Sequence, residues 1–95
     1  MEIIHVNDVK EKTILTENES FKVICYSFDE ESAIPRHSYR GSGVVQILSG
    51  EVEMHFTNGQ SYNLRGGDVF PFDAREEHYV IAGEGSKVLY TVQQN

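Results

Sequence analysis

A chain of 95 residues with eight basic and fifteen acidic side chains carries a formal charge of −7. That charge repels phosphate backbones and anionic lipid, which argues against nucleic acid and membrane as partners. A hydrophobic fraction of 39%, with five Phe and five Tyr, suits a folded globular domain and not a disordered acidic segment.

The length suits one domain over residues 1–95, and a core of that size gains from a partner subunit. A homodimer is therefore expected, with N-terminal strands in residues 1–20 placed at its interface. Cys25, the single cysteine, lies in the apolar run Val23-Ile24-Cys25-Tyr26 and reads as a buried, inert thiol in a reducing compartment. The N-terminus has neither a basic region nor a sustained apolar stretch, and no apolar run approaches membrane-spanning length. A cytoplasmic location is the expectation.

Short runs rich in Val, Ile, Tyr, Phe and Thr recur between clusters of Gly, Asn, Asp and Ser, with almost no helical periodicity. In chain order the predicted strands are Glu2–Val6, Thr13–Thr16, Phe21–Phe28, Ile34–Tyr39, Gly43–Leu48, Glu51–Thr57, Gln60–Leu64, Val69–Phe72, His78–Ala82 and Lys87–Gln93. The spacing predicts an all-β sandwich or barrel. Ser49-Gly50 and Asn58-Gly59 each fit a tight hairpin in which glycine supplies a positive φ, and Gly66-Gly67-Asp68 redirects the chain. Alternation over Glu51–Phe56 puts Val52, Met54 and Phe56 on a buried face and leaves His55 on the surface. Val44-Val45-Gln46-Ile47-Leu48 is nearly continuous in apolar character, as in a strand covered on both faces.

Two stretches carry a family resemblance. Ala33-Ile34-Pro35-Arg36-His37, followed by Val44-Val45-Gln46-Ile47-Leu48-Ser49-Gly50, resembles the first motif of cupins, which runs through a proline to a His-x-His pair, then to a glutamate seven residues before a glycine. His37 falls on the first histidine and Gly50 on the closing glycine. Tyr39 stands at the second histidine, Gly43 at the glutamate and Glu31 at the opening glycine. Gly66-Gly67-Asp68-Val69-Phe70-Pro71-Phe72-Asp73-Ala74-Arg75-Glu76-Glu77-His78 resembles the second motif. There Gly67, Asp68 and His78 match, while Asp73 and Arg75 replace the turn's proline and glycine.

The resemblance spans roughly Phe21 to Val92 and implies a cupin-like double-stranded β-helix, that is, a jelly-roll barrel. It leaves the chemistry open, because cupins include oxygenases, isomerases, sensing domains and storage proteins. It also implies a divalent metal (Fe, Mn, Ni or Zn) on His37 and His78. The family's fuller set of three His and one Glu is half present, and two imidazoles bind an ion weakly without further donors. Tyr39 follows His37 by two residues, so on an extended strand it points to the same side. Its neutral phenol, with a reference pKa of about 10, is a poor metal ligand but a good hydrogen-bond donor.

Small barrels bind ligands in an apolar interior with a few orienting polar groups. The expected lining is His37, Tyr39, Met54, Phe56, Tyr62, Phe70, Phe72, His78 and Tyr90, with either Cys25 or Tyr26 beside them; plain core packing is the blander role for the apolar members. Glu76 and Glu77 read as solvated rim charges. No phosphate-binding glycine loop, nucleophile elbow, Cys-x-x-Cys or His-Glu-x-x-His occurs. Three functions follow: a small-molecule binding barrel, a metal-dependent oxygenase or isomerase on His37 and His78, and a dimeric structural or regulatory subunit.

Overall fold

In the computed structural model, which describes residues 1–94, the alternating segments form nine strands: β1 (Thr13–Glu17), β2 (Phe21–Ser27), β3 (Ser32–His37), β4 (Ser42–Ser49), β5 (Glu51–Phe56), β6 (Ser61–Arg65), β7 (Val69–Asp73), β8 (His78–Ala82) and β9 (Lys87–Gln93). All pairings are antiparallel. One sheet has the order β1-β2-β9-β4-β7 and the other β3-β8-β5-β6. Their facing sides enclose one apolar cluster that includes Ile24, Val45, Ile47, Val52, Met54, Val80, Val88 and Val92. Val52, Met54 and Phe56 are buried as the alternation predicts, and burying each contributes about 1.5–3 kcal/mol.

The two predicted hairpin glycines adopt left-handed backbone, with φ of 81° at Gly50 and 96° at Gly59. Asn58 keeps a negative φ, so the turn is not the mirror-image type; the Gly59 amide donates to the Phe56 carbonyl at 3.1 Å and the Phe56 amide to the Gln60 carbonyl at 2.9 Å. The β5–β6 connection is therefore an ordinary turn closed by a left-handed glycine. His55 lies on the outer face, half-buried, where its ring stacks on Tyr79 at 4.8 Å.

Two expectations are corrected. Glu2–Val6 is not a strand; the only regular element there is a 3-10 turn at Val6–Asp8. A strand needs a ladder partner, and this segment pairs with none; β1 remains the edge strand of its sheet. The carbonyls of Val6 and Val9 are instead bound by the Lys87 ammonium, at 2.6 and 3.2 Å. The third segment starts earlier than predicted and ends at His37, not Tyr39. Its register shifts between Ile34, opposite Val80, and His37, opposite His78. Three steps on β3 thus face two on β8, a bulge at Pro35, which has no N–H to give the ladder and sits on an edge strand where that is tolerated. Strict alternation from the buried Ile34 would turn His37 outward. The bulge turns it back to the interior.

Outside this interior, Val44 and Gln46 of β4 are half-buried and Leu48 is exposed, so the outer face of that strand is only partly covered. Among the described residues no helix is long and apolar enough to cross a membrane.

Candidate functional site

Register brings the two motif histidines together. His37 on β3 pairs with His78 on β8, and their rings lie 4.4 Å apart. Each is held by a main-chain carbonyl two residues before it: His37 Nδ1 donates to Pro35 O at 2.6 Å, and His78 Nδ1 donates to Glu76 O at 2.7 Å. Carbonyls only accept, so each Nδ1 carries a proton and each ring turns its Nε2 inward.

Tyr90 of β9 reaches across from the larger sheet. Its hydroxyl lies 2.5 Å from His78 Nε2 and 3.4 Å from His37 Nε2. Burial holds the Tyr90 phenol far above its usual range, so it stays protonated and donates to His78. Burial likewise pushes the His78 pKa down, the Glu76 carbonyl opposes this, and His37 adds a smaller lowering effect. A neutral His78 accepting from a neutral Tyr90 is consistent with both shifts.

Rings continue outward from this trio. Tyr39 lies edge-on to His37 at 5.2 Å and 6.3 Å from Tyr90. Phe72 packs against His78 at 5.1 Å and Tyr90 at 5.9 Å. Phe56, Phe70 and Tyr62 extend the chain, with Tyr62 and Phe70 centred 4.7 Å apart. Tyr26 joins from the other side, 6.1 Å from Tyr90, and stacks on Phe28 at 6.0 Å. Burial, then the neighbouring Tyr39, pushes the Tyr26 phenol up to about 12. Tyr39 is also raised by burial. His37, Tyr39, Tyr62, Phe70, Phe72 and Phe28 are only half-buried, which makes this end of the interior the accessible one.

Every residue of the expected lining thus falls in one connected region except Met54, which is fully buried in the aliphatic part of the core. Of the Cys25 and Tyr26 alternatives, Tyr26 faces inward; Cys25 is buried on the opposite side of β2, and burial raises its thiol pKa. Phe28 and Lys22 were missed. Lys22 alternates with Ile24 and Tyr26, so the period of two already placed it on the inward face. Its ammonium lies 5.9 Å from the Tyr39 ring centre.

Tyr39 lies beyond the end of β3 and is placed by a turn. Its amide donates to Ala74 O at 2.7 Å, and the Ala74 amide donates to Gly41 O at 2.8 Å. Asp73 and Arg75, which replace the turn's proline and glycine, form a two-pronged ion pair at 2.9 and 2.8 Å. The Arg75 guanidinium and amide hold the Asp73 carboxyl down at about 2. Glu77 reaches Arg36 at 3.6 Å, on the exposed rim.

The donor set does not fit the metal that the resemblance implies. Among the described residues no three His, Cys, Asp or Glu side chains are grouped to hold an ion. At Gly43, the family's glutamate position, a side chain would have to push Phe72 aside: a Cβ there would lie 2.8 Å from Phe72 Cζ and 3.2 Å from Ala74 Cβ. The Tyr90 hydroxyl takes the His78 lone pair that an ion would need.

This fold and paired-histidine interior define a cupin. Residues 26–92 match the family model described as a cupin domain, and the chain belongs to that family. No curated protein matches the chain. Solved structures do. A conserved protein of unknown function from Streptococcus pyogenes is 23% identical, with a TM-score of 0.84 over 99% of this chain and 88% of that one. A cupin superfamily protein from Desulfitobacterium hafniense is 21% identical, with a TM-score of 0.82 over 93% and 84%. An RmlC-like cupin from Desulfovibrio desulfuricans is 25% identical, with a TM-score of 0.76 over 98% and 91%. The double-stranded β-helix expectation holds.

Proposed function

We propose that this chain is a small-molecule binding barrel whose ligand enters at the aromatic end and meets His37, Tyr39 and the Tyr90 hydroxyl without a metal ion. One observation carries the reading: both places where the family's metal chemistry would complete itself are used otherwise, the space beside Gly43 by Phe72 and the His78 Nε2 by Tyr90. What is left is an end of the interior lined by half-buried rings with few polar atoms, the composition expected of a ligand site. A thermal-shift screen of metabolites with a chelator present tests it. At least one compound is expected to raise the melting temperature by several degrees, and His37→Ala to abolish that response. A screen in which no compound stabilises the protein overturns the reading.

The carbonyl-anchored rings of His37 and His78 have the orientation of metal-ligating histidines. That favours, as a second reading, a metal-dependent oxygenase or isomerase. Elemental analysis of untagged protein separates the two: about one ion per chain replaces the first reading with the second, and less than about a tenth leaves the first in place.

The protein partner we propose is a second copy of the chain. Leu48 and Val69 are exposed on the outer side of the larger sheet, and small cores gain from such burial. Light scattering that returns a monomer removes this part.

A further inference from the structure

We propose that Asn58 is a site of spontaneous chemical modification, at which the Gly59 backbone nitrogen displaces ammonia from the Asn58 side chain and water then leaves a mixture of aspartate and isoaspartate at the β5–β6 hairpin tip.

The reaction needs only the chain and water. The Gly59 nitrogen, its proton lost to hydroxide, forms a bond to Asn58 Cγ; the Cγ–Nδ2 bond breaks and Nδ2 leaves as ammonia. The cyclic imide so formed takes up one water. Opening at the side-chain carbonyl gives aspartate, and opening at the main-chain carbonyl gives isoaspartate, in which the backbone runs through Cβ. Nothing is oxidised or reduced.

Of Asn7, Asn18, Asn58 and Asn63, only Asn58 precedes a glycine; the others precede Asp8, Glu19 and Leu64, whose side chains crowd the nitrogen that must attack. A Cβ built on Gly59 would meet nothing within 4 Å, and residues 57–60 are all exposed. The Asn58 side chain is also held in place. Its Oδ1 accepts from the Gln60 amide at 2.9 Å, and its Nδ2 donates to Gln60 Oε1 at 3.0 Å. The first bond draws electrons from Cγ and would stabilise the oxyanion that forms there during attack. Asn18 makes a like bond, its Oδ1 accepting from the Ser20 amide at 2.7 Å, but Glu19 follows it. The glycine sets Asn58 apart. Against the reaction stands one bond, from the Gly59 amide to the Phe56 carbonyl at 3.1 Å, and exposed loop tips open at little cost.

The product matters to the barrel because this turn sets the register of β6. That edge strand pairs only with β5, His55 lying opposite Ser61 and Met54 opposite Tyr62. Isoaspartate adds a methylene to the backbone at the tip and so loosens the pairing beside it. Tyr62, centred 4.7 Å from Phe70 and 5.9 Å from Phe56, is the aromatic-end side chain that a slackened β6 carries away.

The test holds the folded protein for several weeks in mildly alkaline buffer, beside a sample unfolded in guanidinium chloride, and maps peptide masses. We expect the peptide containing Asn58 to become heavier by one mass unit in both, with the folded rate within about tenfold of the unfolded one. In the folded sample, peptides containing Asn7, Asn18 and Asn63 should keep their masses, and Asn58→Gln should abolish the shift. A folded sample that keeps its mass while the unfolded one converts overturns the proposal, as does a shift at Asn18 that matches the one at Asn58. The separated isoaspartate form should melt a few degrees below the parent, whereas Asn58→Asp, with its normal backbone, should melt close to it. Equal melting of the isoaspartate form and the parent overturns the link to β6 and Tyr62.

Discussion

The two ends of the barrel interior are built from the same strands and differ in nearly every property. β5 gives Val52 and Met54 to one end and Phe56 to the other; β8 gives Ala82 and Val80, then His78; β9 gives Val88, then Tyr90. The aliphatic end is sealed, with Met54 and Val80 almost entirely shielded from solvent. The aromatic end mixes rings with hydrogen-bonded nitrogens and oxygens and is half-open. One end holds the fold together, and the other spends part of that stability to keep polar groups inside.

The contrast can be broken or sharpened by substitution. The largest effect is expected at the sealed end: Met54→Ala should lower unfolding free energy by about 2–5 kcal/mol in urea denaturation and leave ligand-induced stabilisation intact. Tyr90→Phe removes the donor to a buried imidazole and should lower stability by about 1–3 kcal/mol, despite deleting one atom. An unchanged midpoint would show that His78 finds another partner. Gly43→Ala should lower stability by about 1–2 kcal/mol because its methyl meets Phe72. Combining it with Phe72→Leu should recover part of the loss, a coupling that a double-mutant cycle reads directly. Additive losses would mean that Phe72 does not fill the space beside residue 43.

The smallest effect is on pH. The folded-state pKa of His78 is lowered, so the unfolded chain binds more protons between that value and about 6.5. Its contribution is complete above about pH 6.5 and is lost as the pH falls through the folded value. Denaturation at pH 7.5 and 5.5 should show the parent losing stability on acidification more than His78→Asn does. Parallel losses would refute the assignment.

Most of the fold was legible because period-two alternation and glycine turns are local signals. Val52, Met54 and Phe56, and the turns at Gly50 and Gly59, followed from neighbours in sequence. What escaped depended on contacts far along the chain. The residues before Val6 look like a strand by composition, but the Val6 carbonyl is bound by Lys87, about 80 positions away, and not by a neighbouring strand. At the site, both histidines were found from motif spacing, and Tyr90 was recognised as lining. Its part in linking the two imidazoles was not visible, since β9 meets them only across the barrel. The bulge at Pro35 was also hidden: alternation read from Ile34 sends His37 the wrong way, and only the pairing with β8 shows the extra residue.

The wall formed by Tyr39 hangs on the turn at residues 73–75 and not on any sheet ladder. Replacing a few side chains in that turn can therefore reshape the entrance without disturbing strand registration. Evolution gains a tuning screw here, because the shape of the recess can drift while the scaffold's folding stays insulated from the change. Proteins sharing this architecture at 21–25% identity have ample freedom to differ in what they hold.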